Sequence, residues 1–132
     1  MTKFQVQWAS EPLLSSQECG FGGSNYGRAF DGSTLIGDQC FMGAFELSKD
    51  LPLPVENLSN FEIFVTGDVG TTMQLVNATT LGSSSSASSF GLGLRGQLFE
   101  RMNFSVEAGK GFSEDVSIDD GWRVFGIISL KF

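Results

Sequence analysis

The sequence predicts an all-β chain of antiparallel, up-and-down strands that cross a membrane as part of a β-barrel, with one long loop. Three observations carry this expectation. Six segments alternate apolar and polar residues with period two, and no stretch holds a convincing helical period. The segments run to roughly nine to fourteen residues, longer than an ordinary strand of five or six and suited to a tilted bilayer crossing. The connections differ in length in the way they do when long loops leave one side of a barrel and short turns the other.

The first segment, residues 4–8, sets Phe4, Val6 and Trp8 on one face. Residues 41–49 set Phe41, Gly43, Phe45 and Leu47 against Met42, Ala44, Glu46 and Ser48. Residues 60–73 set Phe61, Ile63, Val65 and Val69 against Glu62, Phe64, Thr66 and Asp68. Residues 89–99 set Leu92, Leu94 and Leu98 against Gly91, Gly93, Arg95 and Gln97. Residues 104–110 set Phe104, Val106 and Ala108 against Ser105 and Glu107. Residues 122–132 set Val124, Ile128, Leu130 and Phe132 against Arg123, Ser129 and Lys131, ending on an aromatic suited to a membrane interface. Between them lie a long loop (9–40), a medium one (50–59), a long Ser/Gly-rich one (74–88), a tight turn (100–103) and an acidic one (111–121). A soluble sandwich also alternates, so periodicity alone leaves the solvent open. Segment length and loop asymmetry favour lipid.

The loop at 9–40 holds a glycine-rich, aromatic-bracketed arginine: Phe21-Gly22-Gly23-Ser24-Asn25-Tyr26-Gly27-Arg28-Ala29-Phe30-Asp31. A connection this long in a compact β-protein is usually functional. Cys19 and Cys40 flank it. They are either two unrelated thiols or a disulfide pinning the loop base, which requires an oxidising compartment. Two cysteines in a chain without histidine make a poor zinc site, and no metal or cofactor is expected.

Composition narrows the function classes. The 132 residues suffice for one domain, and the net charge of −7, with eight basic residues scattered singly, argues against a nucleic-acid partner. No apolar run is long enough for a transmembrane helix, which leaves barrel strands open. Residues 1–6 lack the apolar core of a signal peptide and read as the middle of a strand, so the chain reads as a fragment of a larger protein. An enzyme is not expected. There is no histidine, no G-x-S-x-G and no framed carboxylate pair, and the serine run 83–86 reads as a flexible loop without a nucleophile motif. Asn57, Asn77 and Asn103 sit in N-x-S/T patterns that arise often by chance. Glu114, Asp115, Asp119 and Asp120 lack the spacing of an EF-hand and read as a solvated acidic loop rather than a cation site.

The loop motif, followed by Ser33 and Gly37-Asp38, resembles the lid loop of two-partner secretion transporters, the haemolysin secretion/activation proteins. That loop carries a V-R-G-F/Y core. Its counterpart here is Gly27-Arg28-Ala29-Phe30, in which Gly27 and Ala29 depart from the common residues. Residues 45–53, ending Leu51-Pro52-Leu53, resemble the family's strand ending in L-P-L. Gly67-Asp68-Val69-Gly70 resembles its F-x-D-x-G strand, with Thr66 where an aromatic is usual. Phe90-Gly91-Leu92-Gly93-Leu94-Arg95 resembles the next strand, and the last strand ends as the family's does, at Phe132.

The resemblance implies a sixteen-stranded outer-membrane barrel of Gram-negative bacteria, preceded by periplasmic POTRA domains. Residues 1–132 would be its C-terminal portion, about six strands, with the POTRA domains and N-terminal strands absent. The implied function is to conduct an unfolded partner exoprotein, haemolysin- or adhesin-like, across the outer membrane, with activation of that partner as a secondary role. The partners are that protein and the lipid bilayer. The resemblance further implies that Arg28 folds into the lumen and meets Asp68, whose place on the polar parity of its strand agrees. Gly22, Gly23 and Gly27 would let the loop turn near the wall, and Gly91 and Gly93 would leave it room. The alternatives are an assembly factor of the same superfamily and a soluble, ligand-binding β-barrel closed within this chain.

Overall fold

The computed structural model describes residues 1–76, 81–114 and 121–132. Its strands are β1 (Thr2–Gln7), β2 (Cys19–Phe21), β3 (Leu35–Gly37), β4 (Gln39–Asp50), β5 (Leu58–Gln74), β6 (Ser83–Leu98), β7 (Met102–Ser113) and β8 (Trp122–Leu130). Six of them form one antiparallel sheet in the order β1-β4-β5-β6-β7-β8, and β2 pairs with β3 inside the connection from β1 to β4. The described residues contain no helix. All six alternating segments of the sequence are therefore strands of one up-and-down sheet. The sheet is open, with β1 and β8 as its edges. The closed soluble barrel considered from sequence does not form among the described residues.

Two expected loops are shorter than the sequence suggests. The serine run is strand, not flexible loop: Ser83, Ser84, Ser85 and Ser86 pair with Gln74, Met73, Thr72 and Thr71. The reason is the partner strand. β5 runs on to Gln74, its ladder satisfies the serine backbone, and the Thr71 and Ser86 hydroxyls bond each other at 3.0 Å. The connection at 9–40 is likewise not irregular throughout, because β2 and β3 form a small hairpin in it. At the opposite end, β6 and β7 turn through Phe99 and Glu100, both at positive φ (51° and 59°), the geometry of a tight hairpin.

The two faces of the sheet are inverted relative to a water-soluble protein. One face carries Phe4 and Val6, Phe41 and Phe45, Val65 and Val69, Phe90 and Leu92, Val106, and Val124 and Ile128, all exposed. The other carries Met42, Ala44 and Glu46, Phe64, Thr66, Asp68 and Thr72, Ala87 and Ser89, all buried. Part of that second face lies beneath the connection from β1 to β4, and a cluster of Cys19, Phe21, Phe30, Leu35, Cys40, Met42 and Ala87 fills the space between.

The exposed apolar band runs diagonally across the strand register. A continuous row joins Thr2, Phe45, Gly67, Phe90, Lys110 and Trp122. On β1 the outward apolar residues Phe4 and Val6 lie on the side of this row toward the long connection. On β8 the residues Val124, Ile128 and Leu130 lie on the other side, toward the β6–β7 turn.

Candidate functional site

The candidate site is the loop segment fastened to the polar face. Its shape begins with glycine. Gly22 and Gly27 hold φ of 123° and 73°, values that L side chains rarely adopt, and Gly23 holds 93°. These conformations close a knot in which Gly22 N donates to Tyr26 O (2.8 Å), Gly23 N to Phe30 O (3.2 Å) and Phe30 N to Gly27 O (2.9 Å). The knot turns Phe21 and Phe30 toward the sheet, with ring centroids 5.9 Å apart and planes tilted by 52°.

The sheet receives these rings at glycines. The Phe21 ring fills the space that a side chain at Gly70 would need, and the Phe30 ring does the same at Gly111. Ala29 sits against Gly109. Phe21 and Phe30 are buried as fully as any side chain here, and each contributes roughly 1.5–3 kcal/mol of transfer free energy. The sockets differ from those expected. Gly91 and Gly93 accommodate Thr66, Glu107 and Phe64 of the sheet itself, while Gly70, Gly109 and Gly111 make room for the loop.

Between the two phenylalanines in sequence lies Arg28. Its main-chain N–H donates to Asp68 Oδ2 at 3.1 Å, and the Ser89 hydroxyl donates to the same oxygen at 2.9 Å. Arg28 and Asp68 thus meet, but through the backbone. The guanidinium passes on to Glu46, with Nη1 to Oε2 at 3.0 Å, and lies 3.8 Å from Glu107 Oε1. The Arg28 side chain runs from its amide past that carboxylate and ends on Glu46. Arg28 Nε and Asp68 Oδ1 are buried and have no hydrogen-bond partner among the described residues.

The network spreads along the same face of the sheet. Arg95 Nη1 donates to Glu46 Oε1 at 2.9 Å, and Arg95 Nε donates to Glu62. Glu46 therefore holds one guanidinium at each oxygen. The Arg95 guanidinium lies 5.0 Å from the Phe64 ring centroid. Thr66 donates to Glu107 at 3.0 Å.

Other loop residues make separate attachments. Asp31 forms a two-bond ion pair with Arg123 on β8, the longer bond 3.1 Å. The Arg123 hydrogen bond and charge hold the Asp31 carboxyl below its ordinary pKa. Asp38, from the resembling Gly37-Asp38 pair, accepts from Leu13 N and, at 2.8 Å, from Leu75 N. Those two amides lower its pKa. Cys19 and Cys40 are joined in a buried disulfide with Cα atoms 6.4 Å apart, so β2 is covalently fixed to the start of β4. Phe132 lies exposed beyond β8. Asn77, Asp115, Asp119 and Asp120 lie outside the described residues.

Glu46, Glu62, Arg95, Glu107 and Arg123 were not singled out as site residues from sequence, although each stands on the polar parity of its strand. Cross-strand register alone pairs Glu62 with Arg95. Among the described residues no group of three or more His, Cys, Asp or Glu is placed to hold a metal ion. The arrangement fastens a loop by charge, hydrogen bonds, ring sockets and one covalent bond. In comparisons with known proteins no family model matches this chain, and no curated protein and no solved structure matches it either.

Proposed function

We propose that this chain is part of the wall of an outer-membrane, protein-conducting barrel of the two-partner secretion type, with residues 9–40 as its lumen loop. The observation that carries the reading is the inverted sheet: an apolar face open to the surroundings, and a polar face on which the loop packs. In water such a face is a strong aggregation liability, whereas against lipid tails it is the stable arrangement. The slanted apolar band supports the same reading, since it matches strands tilted in a bilayer.

On this reading the polar face lines an aqueous lumen, and the loop is its latch. The edges β1 and β8 then require neighbours, because each unpaired backbone group in hydrocarbon costs several kcal/mol. Those neighbours are the remaining strands of a sixteen-stranded barrel, of which this sheet supplies the C-terminal portion. Such a barrel performs no chemistry. It passes an extended partner polypeptide outward, and the latch sets whether the lumen is occupied.

The test is cell fractionation and electrophoresis of the intact protein in a Gram-negative host. The reading predicts outer-membrane recovery, heat-modifiable mobility in detergent, and a fall in partner secretion on Arg28→Ala. A monomer soluble without detergent would overturn it. Normal secretion with defective assembly of other outer-membrane barrels would point instead to an assembly factor.

A further inference from the structure

We propose that Arg123 is a positioning residue that couples the lumen loop to the last strand, so that the loop and the β8 edge respond to each other. The inference rests on the lumen reading above only in naming the loop a latch. Its physical content is a coupling between two parts of this chain.

The loop tip reaches several strands at once. Asp68 on β5 and Glu46 on β4 hold Arg28, Gly111 on β7 receives Phe30, and Arg123 on β8 holds Asp31. The Asp31–Arg123 pair closes a link between positions 92 residues apart. It ties the tip directly to a strand whose ladder partner in this sheet is β7 alone. Arg28 and Glu46 are nearly dehydrated (13% and 10% exposed side chains), whereas the Asp31 side chain is 81% exposed. Water and salt therefore reach the outer pair first. The base of the loop cannot follow a released tip, because Cys19–Cys40 and Asp38 hold it to the start of β4 and the end of β5. Loss of the Asp31–Arg123 pair frees the tip from β8 while the base stays fixed.

Coupling of this kind is reciprocal by linkage. A tip docked on Arg123 steadies β8, and a β8 pulled toward a new neighbour draws on the tip. The edge at which the sheet gains its next strand and the occupancy of the polar face thus become one variable.

Amide hydrogen exchange read by mass spectrometry on the intact protein in detergent micelles tests this without reference to transport. Asp31→Asn removes the pair and leaves the other contacts of Arg123 in place. The proposal expects faster exchange both in residues 22–31 and in β8, by a factor of up to about five, the scale of a solvent-exposed ion pair. Asp31→Glu, which keeps the charge and leaves Arg123 untouched, should hold both segments near the parent rates. Faster exchange in the loop with β8 unchanged would overturn the coupling. Exchange in β8 as fast in Asp31→Glu as in Asp31→Asn would also overturn it. Neither outcome bears on whether the barrel secretes a protein, which fractionation and secretion assays decide separately.

Discussion

Arg28 and Asp68 meet through the Arg28 main-chain N–H, which donates to Asp68 Oδ2 at 3.1 Å, while the guanidinium of the same residue bonds Glu46 Oε2 at 3.0 Å. One loop residue thus uses two separate attachments to two strands. The carboxylate on β5 fixes where the loop backbone stands, and the carboxylate on β4 neutralises its charge.

This division predicts unequal couplings. Arg28→Ala keeps the N–H that Asp68 accepts but strands the Glu46 charge against Arg95 alone. Breaking a partly buried pair in this way should destabilise the loop by about 3 kcal/mol. Arg28→Ala combined with Glu46→Ala should be non-additive by about 1–3 kcal/mol, whereas Arg28→Ala with Asp68→Ala should be much closer to additive. Urea titration of the vesicle-reconstituted protein, following protection of the loop, measures both cycles. Equal coupling in the two cycles contradicts the assignment.

The ring sockets give a second prediction. Gly70→Ala places a methyl group where the Phe21 ring stands and should cost about 1–3 kcal/mol by overpacking. Phe21→Ala should cost about 3–5 kcal/mol by emptying the same space. The double variant should be more stable than the sum of the single losses predicts, because the methyl group then enters the vacated volume. A purely additive double variant would show that Gly70 and Phe21 do not share that space.

The disulfide yields a third. Non-reducing peptide mass spectrometry should recover Cys19 linked to Cys40, and free thiols there would refute the tether. Replacing both cysteines by alanine should lower stability by about 3 kcal/mol, the scale for a covalently closed loop of this size. The increase in protease cleavage should centre on residues 9–38 and leave the β5–β6 ladder protected.

Acid should release the loop in a defined direction. The Asp31 and Asp38 carboxyls are both held below the ordinary value of 3.8, by Arg123 and by the Leu13 and Leu75 amides respectively. A carboxyl with a depressed folded pKa contributes its stability fully above the ordinary value and loses it as pH falls through the folded value. Loop attachment should therefore be constant from neutral pH down to about pH 5 and weaken below the ordinary aspartate range. Digestion with an acid-active protease at stepped pH measures this, and Asp38→Asn should flatten the profile. Weakening that begins near pH 6 would assign the transition to other groups.

Much of the fold was legible in the sequence because its signal is local. Alternation within each strand gave the faces of all six sheet strands, and the inward parity of Asp68 followed from the same count. The serine run escaped because its strand character is borrowed from β5, across the sheet, and not carried by its own composition. The β2–β3 hairpin escaped for a related reason, since three-residue strands leave no period to detect. At the site, the loop motif marked Arg28, but which carboxylate its guanidinium meets is set by strands far away in the chain. Glu46, Glu107 and Arg95 stood on the correct face without any local feature to join them. Only the register of the folded strands brings them to one guanidinium or the other.

Which face of the sheet meets lipid is measured directly by the accessibility of single spin labels in vesicle-reconstituted intact protein. Labels at Val65, Leu92 and Val124 should relax with lipid-soluble oxygen and ignore a water-soluble nickel chelate, while labels at Gln97, Ser105 and Ser129 should do the reverse. Outward labels that respond to the aqueous chelate, with inward labels sealed from it, would contradict the inverted sheet and the barrel with it.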